Sequence, residues 1–211
     1  MARVKRWLLL LIVACKVPDP PPIGDKPWED RFERKDIGPD YVATDDVYTI
    51  RDGALRVEKA YNHPLWLRRK LPADAQIDVD VRSMSPAGDI KVEIWGDGES
   101  KAHDRGAYTS TAYVFIFGGW SNSRSILARM EEHGRSLVAR TEPKVEPGRT
   151  YHFRIVKRGG HLSWTIDGAP FLSYDDPEPL DGPGHAYLGF NDWESEVMFD
   201  NLVITPLPPI K

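Results

Sequence analysis

The fold is decided by residues 151–174, which have the sequence YHFRIVKRGGHLSWTIDGAPFLSY. Two runs of alternating apolar and polar residues flank Gly159-Gly160, and two glycines in this position are typical of the positive φ angles of a tight hairpin turn. A two-residue turn fixes the register, which pairs Phe153 with Ile166, Ile155 with Trp164, and Lys157 with Leu162. One face is then apolar and the other polar. The stretch therefore predicts a half-buried antiparallel hairpin that packs on a larger sheet.

Short alternating segments of the same kind occupy most of the remaining chain. Along residues 89–96, for example, apolar side chains recur at Ile90, Val92 and Ile94. The 18 prolines and 17 glycines lie between such segments, where turns are expected. About a dozen short strands at this spacing predict an all-β sandwich or barrel. In the last segment the apolar phase slips by one residue at Asp200-Asn201, which predicts a β-bulge.

The charge balance disfavours a nucleic-acid partner. The 211 residues include 28 Lys and Arg against 32 Asp and Glu, a formal net charge of −4. Three of the basic residues, Arg3, Lys5 and Arg6, lie at the very start, so the rest of the chain is more acidic still. Binding to nucleic acid needs a basic stripe that neutralises phosphates, and the sequence has none.

Residues 1–14 are typical of a secretory signal peptide, with a basic start and the apolar run WLLLLIV over 7–13. That run is too short to span a bilayer. Cys15 follows, the only cysteine, and residues 11–15 (LIVAC) resemble the lipobox of bacterial lipoproteins. The resemblance implies cleavage before Cys15 and lipid attachment to it. Lys16 in place of an aspartate favours the outer membrane, and an ordinary signal peptide followed by a chance cysteine is the alternative.

After the signal, the sequence predicts two parts. Residues 15–27 form a Pro-rich tether that begins at the lipidated cysteine and is extended, at about 3.1 Å per residue where polyproline II forms. The alternative is a disordered N-terminal segment, which differs little from an extended tether. Residues 28–211 form one domain, long enough for a full hydrophobic core.

Four segments of that domain resemble the concanavalin A-like lectin/glucanase superfamily: WEDRF at 28–32, IRDGAL at 50–55, WTIDG at 164–168 and FDNLVI at 199–204. The resemblance implies a two-sheet antiparallel jelly-roll sandwich, similar to laminin-G-like and 3-keto-disaccharide hydrolase-like domains. This fold hosts lectins, hydrolases, lyases and adhesion modules. Laminarinase-type hydrolases carry a Glu-x-Asp-x-Glu or Glu-x-Asp-x-x-Glu strand. The nearest segment here, QIDVD at 76–80, lacks the first glutamate and argues against that activity.

In the resembling superfamily the ligand lies across the concave outer face of one sheet. Aromatic rings on that face stack on sugars while polar groups bond the hydroxyls. The predicted carbohydrate-binding residues are Glu93, Trp95, Tyr113, Trp120, Asn122, Arg129, Tyr187, Asn191, Asp192 and Trp193. The alternative is that long loops cover these side chains as a second small core.

Two further sites follow from acidic residues. Asp78 and Asp80, or Glu93 with either, are a candidate acid–base pair, because alternate strand residues lie about 6.6 Å apart. Alternating charge on a solvated strand face is the commoner origin of this pattern. The resemblance also implies that Asp30 and Asp200 share a structural calcium, the only cofactor predicted. The alternative is a carboxylate that caps the amides of the bulge.

The sequence thus predicts an envelope-anchored, carbohydrate-binding β-sandwich lipoprotein without catalysis. One alternative is a glycoside hydrolase or lyase that acts on saccharides in the same groove. Another is an adhesion or assembly module whose aromatic face binds a protein. The predicted partners are an oligo- or polysaccharide and, through the lipid anchor, the outer membrane of a bacterial cell envelope.

Overall fold

The computed structural model describes residues 18–103, 108–134 and 137–208. The predicted signal peptide and the lipid attachment at Cys15 lie outside these ranges. Within the ranges, no helix combines the length and hydrophobicity needed to cross a membrane. The regular elements are β1 (Trp28–Asp30), β2 (Tyr41–Ala43), β3 (Tyr48–Arg51), β4 (Ala54–Glu58), β5 (Leu65–Leu67), β6 (Ala75–Ser83), β7 (Ile90–Gly96), β8 (Tyr113–Gly118), the helical turn α1 (Gly119–Asn122), β9 (Arg124–Arg129), β10 (Val138–Arg140), β11 (Thr150–Arg158), β12 (His161–Ile166), β13 (Ala169–Asp175), β14 (Tyr187–Asn191) and β15 (Glu196–Pro206).

These strands form two antiparallel sheets that pack face to face. The eight-stranded sheet has the order β13-β12-β11-β6-β15-β4-β3, with β1 paired to β15. The seven-stranded sheet has the order β10-β9-β8-β7-β14-β5-β2. The main hydrophobic core lies between the sheets and takes side chains from both. The predicted all-β, two-sheet antiparallel jelly-roll sandwich is confirmed.

The hairpin β11–β12 has the predicted register, with Phe153 opposite Ile166 and Ile155 opposite Trp164. Its two glycines have different roles, because only Gly159 has a positive φ, of 55°. A Cβ atom at Gly160 would lie 2.2 Å from the carbonyl oxygen of Asp176, so this position needs glycine for close approach. The prediction of positive φ angles at both glycines is therefore wrong for Gly160.

The predicted β-bulge in the last strand is also confirmed. The register of β15 against β6 shifts between Asp200 and Val203. Asn201 has φ of 50°, a left-handed conformation that asparagine tolerates better than most residues. The Asp200 side chain accepts a hydrogen bond of 2.7 Å from the Asn201 amide. The bulge lets β15 keep apolar residues on the core side before and after the phase slip.

The described part of the predicted tether packs against the domain. Ile23 is only 8% exposed and belongs to the main core, and its amide donates to the carbonyl oxygen of Lys70 at 3.0 Å. Arg68 pairs with Asp19 at 2.9 Å, and Arg69 donates to the carbonyl oxygen of Pro21 at 3.1 Å. The core therefore includes a residue upstream of the predicted domain boundary at residue 28.

Candidate functional site

A cleft of about 390 Å³ opens on the outer face of the seven-stranded sheet. Lys91 on β7 pairs with Ile116 on β8, and both point away from the core because Ile90 and Phe117 point into it. The side chains that define the cleft chemically are Asp89, Lys91, Trp120, Glu132, His133 and Trp193. We refer to it as the Trp120–Trp193 cleft.

Trp120 is presented by the unusual backbone of α1. Trp120, Ser121 and Asn122 all have positive φ, between 50° and 60°, which is uncommon for residues other than glycine. The Asn122 side chain holds this turn through two hydrogen bonds with the backbone of Val145, of 2.8 and 2.9 Å. Trp120 remains 36% exposed, with the Arg124 guanidinium 4.2 Å from its ring centroid. Asn122 thus positions the tryptophan and does not line the cleft itself.

Trp193 enters the cleft from the segment after β14. Its ring packs edge-on against Tyr61, with centroids 5.1 Å apart. Its backbone amide donates to Asp89 Oδ2 at 2.5 Å, and the Asp89 amide donates to the carbonyl oxygen of Gly118. Asp89 therefore links the segment that carries Trp193 to the end of β8, just before the turn that carries Trp120.

A buried ion pair lies in the floor of the cleft. Lys91 Nζ is 2.7 Å from Glu132 Oε2 and also donates to Asn62 Oδ1, while Asn62 Nδ2 donates to Glu132 Oε1 at 2.9 Å. Burial acts to lower the pKa of Lys91, but Glu132 and Asp89 hold it above its usual value. Burial acts to raise the pKa of Glu132, but Lys91 and Asn62 hold it below its usual value. Both groups therefore stay charged.

Three more carboxyl groups lie around this pair. Burial raises the pKa of Asp89 and that of Glu93, and it raises the pKa of Asp192 to about 7. Glu93 is fully buried and accepts hydrogen bonds from Tyr108 (2.6 Å), Ser110 (2.5 Å) and Asn191 (2.7 Å). Asp192 accepts one from the Ala60 amide at 2.8 Å through Oδ1, whereas its buried Oδ2 has no hydrogen-bond partner among the described residues.

The predicted binding residues are thus only partly brought together. Trp120 and Trp193 line the cleft. Asn191 and Asp192 lead into Trp193 but are fully buried, and Glu93 is covered by the segment that carries Tyr108. That segment also covers Trp66, whose Nε1 donates to the carbonyl oxygen of Ser100. The outer face therefore has a covered part, as the second-core alternative predicts, beside the open cleft.

Trp95 does not point outward as predicted. The register between β7 and β14 shifts between Tyr187 and Leu188, and the unpaired Trp95 has φ of 60°. This bulge turns its ring into the inter-sheet core, where it is 1% exposed and packs edge-on against Tyr113. Trp95 Nε1 donates to the carbonyl oxygen of Pro72 at 3.1 Å. Trp95 is consequently a core residue.

Tyr113, Arg129 and Tyr187 also lie away from the cleft. Tyr113 points into the core and donates to Asp176 Oδ2 at 2.6 Å, and Arg129 contacts the same oxygen at 3.2 Å. Both residues therefore fasten the loop after β13. Tyr187 lines a smaller cavity of about 260 Å³, together with Arg68 and the proline-rich segment.

The three candidate acid–base residues are divided between the two sheets. Asp78 and Asp80 lie on β6 of the eight-stranded sheet, whereas Glu93 lies on the other sheet. His152 bridges the two aspartates, at 3.1 Å from Asp78 and 2.8 Å from Asp80, and Arg154 contacts Asp78 at 2.7 Å. Pairing of Glu93 with either aspartate is therefore wrong, and the aspartates are held in ion pairs.

The predicted calcium ligands are engaged with protein groups. Asp30 accepts hydrogen bonds from Arg34, the Phe32 amide and Tyr41. Asp200 caps the Asn201 amide, which is the alternative that the sequence offered. In the described ranges, no group of three or more His, Cys, Asp or Glu residues is placed to hold a metal ion. The residues present do not fit a shared calcium.

Sequence reasoning missed Asp89, Lys91, Glu132 and His133 as cleft residues. The alternation along residues 89–96 places Lys91 outward, which was the available signal. Glu132 and His133 follow β9 in a turn-like segment, and nothing local in the sequence indicates that this turn folds over β7.

Solved structures share this fold at low sequence identity. The chain is similar to the carbohydrate-binding module CBM66 from Bacillus subtilis, with 11% identity, a TM-score of 0.61, and coverage of 79% of this chain and 95% of that chain. It is similar to a Bacillus subtilis protein of unknown function with a galectin-like fold, with 13% identity, a TM-score of 0.67, and coverage of 87% of this chain and 96% of that chain. It is also similar to a prokaryotic β-1,3-1,4-glucanase (lichenase) from a mouse hindgut metagenome, with 9% identity, a TM-score of 0.61, and coverage of 86% of this chain and 100% of that chain. At these identities the similarities show the fold alone, a two-sheet jelly-roll sandwich that one of these structures describes as galectin-like.

A family model described as "Farnesoic acid 0-methyl transferase" matches residues 100–202. The matched segment supplies strands to both sheets but contains neither sheet whole, and it includes Trp120 and Trp193 but not Asp89 or Lys91. No curated protein matches the sequence.

Proposed function

We propose that the chain binds carbohydrate in the Trp120–Trp193 cleft. The proposal rests on one observation: two tryptophans and several buried polar groups line the same cleft of about 390 Å³. Tryptophan rings stack on the apolar faces of sugars, and a few fixed polar groups select their hydroxyls. The similarity of the fold to a carbohydrate-binding module supports this ligand class.

Binding without cleavage is favoured by how the carboxylates are engaged. A general acid or base must reach the proton that it transfers. Glu93 is fully buried beneath Tyr108 and Ser110, so it has no access to a ligand. Glu132 is already paired with Lys91. Glu132 therefore acts as part of a fixed polar floor, whereas Glu93 does not line the cleft.

Titration calorimetry after a glycan array tests the proposal. Trp120→Ala and Trp193→Ala should each weaken sugar binding several-fold, since one stacked ring contributes about 1 kcal/mol. Met84→Ala is the matched control, because Met84 is 45% exposed and lies outside the cleft. Binding that survives loss of both tryptophans would refute the assignment of the cleft.

A second candidate is cleavage of a saccharide by Asp89 and Glu132. Both line the cleft, and their pKa values are shifted in opposite directions, as an acid and a base require. The similarity of the fold to a glucanase is compatible with this activity. Release of new reducing ends that stops in both Asp89→Asn and Glu132→Gln would favour the enzyme. The same release in both variants would point to a contaminant.

We also propose that Cys15 anchors the protein to a bacterial cell envelope. The support is the sequence itself: the basic and apolar leader and the lipobox-like residues 11–15. A lipid anchor would place the sugar-binding domain at the membrane surface, on a segment whose residues from 18 onward pack along the domain.

A further inference from the structure

The lining of the Trp120–Trp193 cleft contains more carboxyl groups than ammonium groups, with Asp89, Glu132 and Glu194 against Lys91. Four buried carboxyl groups interact with the buried ammonium of Lys91: those of Asp89 and Glu132, which line the cleft, and those of Glu93 and Asp192, which do not. At the rim, Glu194 is exposed and adds another carboxylate, beside His133. The Arg124 guanidinium stacks on the Trp120 ring. The carboxyl groups still outnumber the cations.

Burial makes this imbalance costly. An unpaired carboxylate away from water is stabilised either by taking up a proton or by contact with a cation. Lys91 already contacts Glu132 and Asn62, so it does not serve the other carboxyl groups by direct contact. For the same reason it is not free to bind an acidic ligand.

Two side-chain oxygen atoms in the cleft have no hydrogen-bond partner within the part of the chain that the structure describes. Asp89 Oδ2 accepts the Trp193 amide, and among the described residues no group donates a hydrogen bond to Asp89 Oδ1. Ser195 also lines the cleft, is 1% exposed, and its Oγ has no partner. An ammonium group carries three N–H donors and no acceptor, so it complements this pair of oxygens.

The surroundings favour an organic cation over a metal ion. In the part of the chain that the structure describes, no three His, Cys, Asp or Glu residues are grouped to hold a metal. The cleft instead offers two tryptophan rings, which attract ammonium groups through their faces and stack on sugar rings.

We infer that the ligand of the Trp120–Trp193 cleft is an amino sugar with a free, protonated amine, held by Asp89 and Ser195. This inference rests on the proposed carbohydrate binding and specifies the class of sugar. Neutral sugars bind more weakly because they leave Asp89 without a counterion, and uronates are repelled.

Calorimetric titration of the full chain with four tetrasaccharides tests the inference. The β-1,4-glucosamine, N-acetylglucosamine and glucose tetramers share one backbone and differ at C2, and tetragalacturonate carries the opposite charge. At pH 6 and low salt the glucosamine tetramer should bind about tenfold more tightly than the glucose tetramer, and the difference should shrink as salt is raised. Tetragalacturonate should bind most weakly.

Asp89→Asn should reduce the ratio of glucosamine to glucose affinity toward one. Glu194→Gln, on the exposed rim, should reduce it by a smaller factor and provides a second variant if Asp89→Asn fails to fold. The matched control is Asp52→Asn, because the Asp52 side chain is 85% exposed in the turn between β3 and β4. It should leave the ratio unchanged.

The outcomes separate this inference from the proposed function. Equal binding of the glucosamine and glucose tetramers, or tighter binding of tetragalacturonate, overturns the amine assignment and leaves carbohydrate binding intact. Absence of binding to the glucosamine tetramer also overturns it, whatever other sugars bind on the array. Absence of binding to every glycan on the array overturns both.

Discussion

Replacement of Trp164 by alanine should destabilise the sandwich strongly. Trp164 is 1% exposed, and its ring packs edge-on against Phe153 and Phe171, with centroids 4.9 and 4.8 Å apart. These neighbours lie on β11 and β13, which are hydrogen-bonded to β12 on either side and restrict collapse into the vacated space. Loss of such a buried tryptophan costs roughly 3–5 kcal/mol. At roughly 2–4 °C per kcal/mol for a domain of this size, the melting temperature should fall by roughly 6–20 °C.

Trp164→Phe is the matched control. In the described ranges the buried Nε1 of Trp164 has no hydrogen-bond partner, so phenylalanine removes an unsatisfied donor while it keeps an aromatic ring in place. Its cost should stay below about 2 kcal/mol. Thermal and urea unfolding, followed by circular dichroism, measure both variants. An alanine variant that melts within about 2 °C of the wild type, or a phenylalanine variant that is equally destabilised, would refute the packing argument.

Three further predictions concern titration, metal and the anchor. Because burial raises the pKa of Asp192 from its ordinary value of 3.8 to about 7, stability from its protonated form is fully present below about pH 4 and is lost as pH rises through about 7. Asp192→Asn should therefore gain stability relative to the wild type across this window in urea titrations, and a pH-independent difference would contradict the assignment. Calcium or a chelator should change the melting temperature by less than about 1 °C, since Asp30 is fully engaged; a rise that grows with calcium concentration would restore the metal site. Cys15→Ser should release the protein from membranes or block its maturation, and unchanged fractionation would remove the lipoprotein proposal.

The sequence alone determined the sandwich and much of its register. The hairpin pairs of Phe153 and Ile155 follow from a two-residue turn and an alternation of period two, which are local properties of the chain. The bulge at Asp200 follows from a phase slip within one strand. The sequence also predicted Trp193, from the alternation over residues 185–193, and Trp120, from the loop over residues 120–122. Both line the cleft.

The tertiary structure decided which of the other candidates reach a ligand. Alternation tells which side of a strand a residue takes, but it does not tell what covers that side. Glu93 points outward as predicted and is nevertheless fully buried, because the distant Tyr108 and Ser110 fold over it. Trp95 breaks the alternation itself, because the bulge that turns it inward depends on how β14 pairs with β7.

The charged residues in the floor of the cleft could not be predicted from the sequence, for the same physical reason. Lys91 and Glu132 form a buried ion pair only because the segment after β9 folds over β7. Asp89 acquires its role through contact with Trp193, more than a hundred residues away in the chain. Strand patterns and turns are set by neighbouring residues, whereas burial, ion pairing and pKa shifts are set by whatever the fold brings into contact.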